Sequence, residues 1–345
     1  MTDLDIQENI SLAPYTTMKI GGRARFFVKA TTERDVVDAL RFAADRGLEV
    51  FVLGGGSNVL ISDNGFDGLV LQIAMPGIES EEEQDRVLLT VHAGEDWDRF
   101  VGYCVSRELA GIECLSGIPG SVGGTPVQNV GAYGQEVSQA IVSVRCIDRQ
   151  KLSIVDLDNN ECGFSYRKSI FNSNDAGRFI VLSVRFALLK NGAPKIEYKD
   201  LREYFAERIP TLSEVREAVL TIRRAKSMVI DPNDPNSQSA GSFFKNPIVP
   251  FEKYAEIRAV FPDTPSFAFD DKSVKVPAAW LIEHAGFSKG FSLGNAGISS
   301  NHTLAIINCG NATSAEIVAL KNRIQDVVKD KFGIGLQPEP IFVGF

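Results

Sequence analysis

GIPGSVGGTPVQNVGAY, residues 117–133, is the stretch on which the prediction of the fold depends. Its five glycines and two prolines disfavour a regular helix or strand. Glycine has no Cβ, so a ligand can approach its backbone, and successive exposed N–H groups form a concave surface that suits pyrophosphate. Four polar side chains can add hydrogen-bond donors: Ser121, Thr125, Gln128 and Asn129. Taken alone, such a run is most often an ordinary surface loop.

A second glycine loop favours a cofactor site over an ordinary loop. The apolar residues 50–53 predict a short buried strand that runs into GGGSN at 54–58. No Gly-Lys-Ser/Thr follows, so this is not a P-loop, and the Gly-x-Gly-x-x-Gly fingerprint of dinucleotide-binding βαβ units is absent. Each loop alone is a weak signal. The two together predict one extended dinucleotide cofactor that is held from two sides.

The composition is that of an ordinary globular protein. The 345 residues, 44% of them hydrophobic and 23% charged, allow about two or three domains. The net charge of −8 disfavours nucleic acid and anionic membranes as partners. No apolar run reaches membrane-spanning length, and residues 1–5 lack the apolar core of a signal peptide. Five cysteines without a Cys-x-x-Cys pair predict reduced thiols. We therefore expect a cytoplasmic monomer.

Strands and helices alternate in two successive lobes, at about 1–75 and 76–210, with one glycine loop in each. Thr32 is predicted to cap the helix of the first lobe, and the acidic run 79–83 is expected to be a solvated turn rather than a metal site. A cofactor could lie in the cleft between the lobes. Together the two lobes make a predicted cofactor-binding region at 1–210.

A boundary is predicted near Pro210, where Ser213 is expected to cap a further helix. Residues 211–337 read as a separate α+β domain, with a long helix that begins at a capping box, TSAE at 313–316. Residues 338–345 contain a short terminal strand.

Three residues outside the glycine loops have settings that suit chemistry. Arg167, in CGFSYRKS at 162–169, is either a solvated surface arginine or a planar cation that stabilises negative charge. Ser242, in AGSFFKNP at 240–247, is either a turn residue or a hydroxyl that delivers a proton to a carbanion or enolate in an apolar setting. Glu339 lies between two prolines that restrict its backbone, as a positioned carboxylate requires, although proline-rich tails are common.

These residues and both glycine loops together resemble the UDP-N-acetylenolpyruvoylglucosamine reductase family. The matching stretches occur in the family's order: LGGGSNVL (53–60), IPGSVGGTPVQNVGAY (118–133), FSYRKSIF (164–171), AGSFFKNP (240–247) and QPEP (337–340). The resemblance implies an α+β fold, with a two-lobed FAD-binding region of the p-cresol methylhydroxylase type followed by a substrate domain. It also implies that NADPH reduces the flavin, which then reduces UDP-N-acetylglucosamine enolpyruvate to UDP-N-acetylmuramate, a bacterial peptidoglycan precursor.

The resemblance also assigns residues. Arg167 and Glu339 would stabilise the enolate that follows hydride transfer, and Ser242 would protonate it. The implied substrate-binding residues are Tyr198, Lys226 and Asn246, with Tyr198 indicating the subgroup that lays a tyrosine over the uridine diphosphate. The implied cofactor-binding residues are Gly54, Gly55, Gly56, Ser57, Asn58, Pro119, Gly120, Ser121, Gly123, Gly124, Thr125, Gln128, Asn129, Gly131, Ala132 and Tyr133. His284 stands where some members have a substrate-contacting glutamine, so that contact stays open.

Two other functions are compatible with parts of this pattern. A FAD-dependent oxidase of a sugar or lactone would share the fold, but several such enzymes attach the flavin through histidine or cysteine, and neither occurs at 53–60 or 117–133. A non-catalytic binding protein would not need Arg167, Ser242 and Glu339. The reductase is therefore the preferred hypothesis.

Overall fold

Four of the helices in the described residues begin at an N-cap side chain that accepts a hydrogen bond from an otherwise free N–H group: those capped by Thr32, Asp96, Thr211 and Thr313. Thr32 and Thr313 are N-caps with reciprocal capping boxes to Asp35 and Glu316, as the sequence predicts. In residues 4–206 and 208–345, which the computed structural model describes, the helices are α1 (Glu33–Asp45), α2 (Trp97–Ser106), α3 (Lys199–Phe205), α4 (Leu212–Ala225), α5 (Phe251–Val260), α6 (Ala278–His284) and α7 (Ser314–Phe332).

The predicted cap of α4 is wrong by two residues. Thr211, not Ser213, is the N-cap, and its hydroxyl accepts a hydrogen bond from the Glu214 N–H. The Glu214 carboxylate in turn accepts from the Thr211 N–H at 2.7 Å. Glu214 stands three residues after Thr211, which is the spacing that a capping box needs, and this reciprocal pair fixes where the helix begins.

The strands, numbered in chain order, make several small sheets. They are β1 (Ile6–Ser11), β2 (Arg23–Ala30), β3 (Val50–Leu53), β4 (Val59–Ile61), β5 (Phe66–Ile73), β6 (Ile78–Glu82), β7 (Arg86–His92), β8 (Leu109–Ala110), β9 (Gly131–Ala132), β10 (Gln135–Glu136), β11 (Ile141–Asp148), β12 (Ser153–Asp158), β13 (Phe179–Lys190), β14 (Ser239–Ser242), β15 (Ile248–Pro250), β16 (Phe267–Ala268), β17 (Ser273–Lys275), β18 (Ser292–Leu293), β19 (Ala296–Ile298), β20 (Ala305–Asn308) and β21 (Ile341–Val343).

The chain divides into two compact units, each made of several segments. The first consists of the chain as far as Ile10 with Ala24–Gly56 and Phe66–Val229, and the second of Ser11–Arg23, Ser57–Gly65 and Ile230–Phe345. The first unit thus runs past the boundary predicted at 210. The reason is that α4 packs its apolar face on Cys114 and Leu201, which places this helix in a core of the first unit.

The first unit contains two main sheets, which fall in the residue ranges of the two predicted lobes. One has the order β1-β2-β5-β3, in which β2 and β3 both pair parallel to β5. The other has the order β12-β11-β13-β7-β6 and is antiparallel throughout. The apolar faces of α1 and α2 are buried with residues of both sheets in one core. The glycine loops leave this core at the end of β3 and after α2.

The acidic run at 79–83 is a strand, not the predicted turn. Residues of β6 pair antiparallel with β7 at the edge of the second sheet. Glu81 and Glu82 point to solvent, where they form ion pairs with Arg185 and Lys190. An edge strand tolerates such charges because one of its sides is solvated, and they discourage pairing with other chains.

The second unit is built around α7. Its core contains Ile317, Leu320 and Ile324 of this helix, the aromatic residues that follow Ser242, and residues of β19 and β20. The order β14-β20-β19-β18 forms one sheet and β15-β17-β16 another. The predicted terminal strand, β21, pairs parallel with β4, which lies far earlier in the sequence. No helix in residues 4–206 or 208–345 has the length and apolar character needed to cross a membrane.

Candidate active site

The two glycine loops pack against each other inside the first unit. A Cβ placed on Gly55 would lie 2.6 Å from the Cα of Gly120, and one on Gly54 would lie 2.8 Å from the Ser121 hydroxyl. Side chains of any size are therefore excluded at both positions. The backbones of the two loops, which the sequence analysis expected to hold one cofactor from two sides, are in direct contact.

Ser121 is the polar side chain that this packing leaves available. Its hydroxyl is buried and has no hydrogen-bond partner among the described residues. The Thr125 hydroxyl donates to the Val122 carbonyl at 2.8 Å, so its hydrogen is already used. Both amide hydrogens of Asn129 are used as well, by the Glu136 carboxylate and the Ser165 carbonyl. Of the donors that the sequence suggested for a ligand, Thr125 and Asn129 make hydrogen bonds that hold the loop together.

Several glycines of the long loop are required by packing within the protein. A Cβ on Gly123 would lie 2.5 Å from the Ala93 side chain, and one on Gly131 would lie 2.8 Å from Glu136. Gly124 differs, because it is exposed and a Cβ there would meet nothing within 4 Å. Packing within the protein is therefore a separate reason for glycine at Gly123 and Gly131, and it does not apply to Gly124.

Arg167 lies in a tight turn between Ser165 and Lys168, whose backbone groups hydrogen-bond to each other. Its φ is +55°, a conformation that favours glycine. The guanidinium donates from Nη2 to the Gly131 carbonyl at 2.9 Å. Arg167 is thus a half-buried cation with a fixed position beside the glycine loop, not the solvated surface arginine that was its alternative.

Ser242 and Glu339 are brought together in the second unit. The Glu339 N–H donates to the Phe243 carbonyl at 2.8 Å, and Phe244 forms an isolated bridge with Pro338. Both phenylalanines are fully buried, so the backbone that presents Ser242 and Glu339 is anchored in the core. Both functional side chains remain partly accessible. Arg167 belongs to the first unit.

Asn58 contributes to the position of Glu339. Its side-chain amide donates to the Glu339 carbonyl at 3.3 Å, and its backbone carbonyl accepts from the Ile341 N–H at 3.0 Å. The parallel pairing of β4 with β21 brings these residues together. Asn58, predicted as a cofactor ligand, therefore also holds the segment that carries the carboxylate.

The predicted substrate residues fall in both units. In the first, Tyr198 packs edge-to-face on Tyr133 with ring centroids 5.4 Å apart, and the Lys226 ammonium lies 3.0 Å from the Asp200 carboxylate. Burial raises the pKa of both tyrosines. In the second, the Asn246 side-chain oxygen accepts from the Ala278 N–H at 2.9 Å, at the start of α6.

Arg223 is a buried cation that the sequence analysis did not single out. Burial lowers the pKa of its guanidinium, and the nearby Tyr133 phenol opposes this shift. Its Nη2 donates to the Met228 carbonyl at 2.7 Å. The available signal was spacing: Arg223 follows the buried Val215 and Val219 at intervals of one helical turn, on the face that packs inward.

The residues of the first unit have the chemistry that binds a dinucleotide such as FAD. An unpartnered buried hydroxyl at Ser121 and the joined backbones of two glycine loops are what a pyrophosphate needs from a protein. Gly56 adds a residue at φ +65° where the first loop turns. In the described ranges, 4–206 and 208–345, no group of three His, Cys, Asp or Glu side chains could hold a metal ion.

Comparison with known proteins gives matches over nearly the whole chain. Residues 24–157 match the FAD binding domain family, and residues 232–343 match the C-terminal domain of UDP-N-acetylenolpyruvoylglucosamine reductase. The reductase of that name from Thermobifida fusca is 42% identical, with 97% of each chain covered, and that from Pseudomonas aeruginosa is 39% identical, with 98% of each covered. The crystal structure of the reductase from Thermus caldophilus covers 99% of both chains with a TM-score of 0.68 at 24% identity, and so shares the fold.

These matches define the class first: the protein is a flavin-dependent oxidoreductase in which an FAD-binding region precedes a C-terminal domain, as predicted. More narrowly, the chain belongs to the UDP-N-acetylenolpyruvoylglucosamine reductase family. FAD and NADPH, the predicted cofactors, are those of this family, which acts in peptidoglycan synthesis. The resemblance that the five motifs carry is therefore confirmed, and the oxidase alternative is set aside.

Proposed function

We propose that this protein reduces UDP-N-acetylglucosamine enolpyruvate to UDP-N-acetylmuramate, with NADPH as reductant, as a monomer in a bacterial cytoplasm. The observation that carries the proposal is the pairing of Ser242 with Glu339 on a buried aromatic frame, because a reduction of this kind needs a proton donor as well as a hydride. Bound FAD supplies the redox chemistry, since it accepts a hydride from NADPH and delivers it to the enolpyruvyl group.

The cofactor is held by the two glycine loops in this proposal. The Ser121 hydroxyl, which is buried and has no partner among the described residues, becomes a donor to the pyrophosphate. Most N–H groups between Val122 and Val130 are used within the protein, so the backbone donors must come from the rest of the two loops. Tyr133 is a further cofactor contact in this proposal, and the nearby buried cation of Arg223 counteracts the rise that burial causes in the pKa of its phenol. The functional division proposed is therefore cofactor binding by residues 1–210 and substrate binding by 211–337, with the last strand carrying Glu339.

The three candidate catalytic residues have complementary roles. Hydride addition to the enolpyruvyl methylene leaves negative charge on the adjacent carbon and its carboxylate. Arg167 offers a fixed cation for this charge, and Glu339 offers a positioned carboxyl group. Ser242 donates the proton that completes the reduction. Its backbone lies between Gly241 and the buried Phe243, and its side chain remains partly accessible to the substrate.

The remaining contacts hold the nucleotide in this proposal. Lys226 suits the diphosphate as a point charge, and the neighbouring Asp200 keeps its ammonium in place. Tyr198 presents a ring for the uridine diphosphate, as in the subgroup with a capping tyrosine. Asn246 contributes a side-chain amide next to the start of α6. Its oxygen accepts from the Ala278 N–H, so in this proposal its amide nitrogen donates to the substrate.

The test is a two-stage anaerobic stopped-flow experiment. NADPH is expected to bleach the flavin absorbance, and UDP-N-acetylglucosamine enolpyruvate is expected to restore it rapidly. UDP-N-acetylglucosamine, which lacks the enolpyruvyl group, is the matched control and should leave the flavin reduced. Restoration by neither compound, together with reduction of the oxidised flavin by a free sugar or lactone, would support an oxidase instead.

A further inference from the structure

The backbone of Arg167 needs outside support to keep its conformation. A non-glycine residue with φ near +55° is strained, and it persists only when its surroundings fix it. Two side-chain amides hold this turn from outside. Asn129 donates to the Ser165 carbonyl at 3.1 Å, and Asn172 donates to the Arg167 carbonyl at 3.2 Å.

Asn129 is itself fixed on three sides. It is buried and has a positive φ of +45°. Its second amide hydrogen goes to the Glu136 carboxylate at 2.8 Å, and its side-chain oxygen accepts from the Ser138 N–H at 3.2 Å. Because the charged Glu136 oxygen is the stronger acceptor, it sets the plane of the Asn129 amide and hence the direction of the bond to Ser165.

Glu136 also lies beside the residue that binds the guanidinium of Arg167. It pairs across β9 and β10 with Gly131, and the Gly131 carbonyl accepts from Arg167. A Cβ on Gly131 would lie 2.8 Å from the Glu136 side chain and 3.4 Å from Nη1 of Arg167. The backbone turn and the charged end of Arg167 are thus both tied to one hairpin, at residues 131–136.

We propose that Glu136 and Asn129 are positioning residues for Arg167: Glu136 orients the Asn129 amide, and together they fix the strained turn and the guanidinium of Arg167. This inference rests on the proposed function, in which Arg167 stabilises charge on the reduced substrate. It gives Asn129 a task other than cofactor binding, since both of its amide hydrogens are used within the protein.

The proposal predicts an effect on one half-reaction alone. In Glu136→Ala, reoxidation of the reduced flavin by UDP-N-acetylglucosamine enolpyruvate should slow by about 10- to 100-fold, because small displacements of a catalytic group are costly. Reduction of the flavin by NADPH should change by no more than about twofold, since Arg167 has no part in it. Glu136→Gln keeps an oxygen that can accept from Asn129 and should restore most of the rate. Glu161→Ala, at an exposed carboxylate outside this network, is the matched control and should behave as the wild type.

A double-mutant cycle with Arg167→Ala distinguishes positioning from a merely structural role. If Glu136 acts through Arg167, then Glu136→Ala causes no further slowing once Arg167 is removed. Multiplicative effects, or equal loss in both half-reactions, would overturn the proposal. If Glu136→Ala does not fold, Glu136→Asp, which withdraws the carboxylate by one methylene, should show an intermediate slowing of the same half-reaction. Failure of the wild type to be reoxidised by this substrate would instead refute the proposed function.

Discussion

The backbone of Ser242 is fixed by the residues on either side of it. Gly241 and the buried Phe243 fix its backbone, while its hydroxyl stays partly accessible. We expect Ser242→Ala to leave NADPH-dependent flavin reduction intact and to slow reoxidation by the enolpyruvyl substrate by about 100-fold or more, as for loss of a placed proton donor. Stopped-flow absorbance measures both steps. Equal loss in both would mean that the variant is misfolded.

Gly55 tests the contact between the two glycine loops. Its absent Cβ would lie 2.6 Å from the Cα of Gly120, where only backbone could move, so we expect Gly55→Ala to lower the free energy of unfolding by about 2 kcal/mol. Gly124→Ala, in the same pair of loops, meets nothing within 4 Å and should unfold like the wild type. Thermal unfolding of the apoproteins makes the comparison. Similar losses in both variants would contradict the packing argument.

The sequence indicates which residues are candidates for function, but it does not reveal their hydrogen-bond partners. The prolines around Glu339 indicate a restrained backbone, and the structure has that backbone bonded to Phe243. Nothing local to Asn129 reveals that its amide is used by Glu136 and Ser165, because Ser165 is distant in sequence. Arg223 is hidden for a similar reason: a basic residue at a helix end normally signals solvent.

At the scale of elements, Asp98 joins the long glycine loop to α4. It accepts from the Gly117 N–H at 2.6 Å and from both terminal nitrogens of Arg216. Burial raises the pKa of Asp98, but the hydrogen bonds from Arg216 and Gly117 outweigh it and the net pKa is lowered. We expect Asp98→Asn to destabilise the first unit by about 2 kcal/mol, allowing for partial exposure of the pair.

This loss should depend on pH. A carboxyl whose pKa is lowered on folding stabilises the fold above its unfolded value, near 3.8, and loses that contribution as pH falls through the folded value. The gap between wild type and Asp98→Asn should therefore be constant above about pH 5 and shrink below about pH 4. Fluorescence of the buried Trp97 during urea unfolding, in a Trp280→Phe background, reports it. A gap that widens in acid would refute the argument.

Glu113 links three further elements. Its buried carboxylate accepts from the Gly111 N–H at 2.8 Å, from the Gln135 side chain at 2.8 Å and from the Lys195 N–H at 3.0 Å. In Glu113→Gln an N–H group must face one of these donors. We expect a loss of about 1–3 kcal/mol in the free energy of unfolding, with a raised KM for the UDP substrate because Lys195 leads to Tyr198.

The control for this variant is Glu83→Gln, at an exposed glutamate, which should change neither quantity. Calorimetry and steady-state kinetics are sufficient. An unaltered melting temperature in Glu113→Gln would show that the three donors do not need a carboxylate with two acceptor oxygens.

Elements with a local signal were predicted well. The Thr32 cap of α1 and the capping box of α7 were predicted from the sequence and are confirmed, whereas α3 was not predicted. Strand β6 was missed because its acidic residues resemble a loop; only its partner β7 makes it a strand. Pairing between strands distant in sequence carries no local signature.

For the whole molecule, the second unit should not fold from its C-terminal segment alone. A fragment of residues 230–345 lacks β4, the partner of β21, and also Met18 and Ile20, which lie in the core of this unit. We expect it to show no cooperative thermal transition by circular dichroism, whereas the full chain does. A sharp transition in the fragment would mean that the two upstream segments are dispensable.

The predicted boundary at 210 illustrates what the sequence could not reveal at this scale. The sequence indicates a boundary near Pro210. It does not indicate that Ser11–Arg23 and Ser57–Gly65 belong to the second unit. The assignment of these two segments depends on strand partners and core contacts that are remote in sequence. Fold class and family followed from motifs, whereas the division into units required coordinates.

The double link between Asn58 and the segment after Glu339 has a consequence for cofactor retention. Fraying of the terminal strand must break the bonds that steady the end of the first glycine loop, so the two events share one local opening equilibrium. Added FAD should therefore slow hydrogen–deuterium exchange at the Ile341 amide, which is far along the chain from the loop that we propose binds it. A substitution that loosens the C-terminal residues would, by the same linkage, make the flavin dissociate more readily.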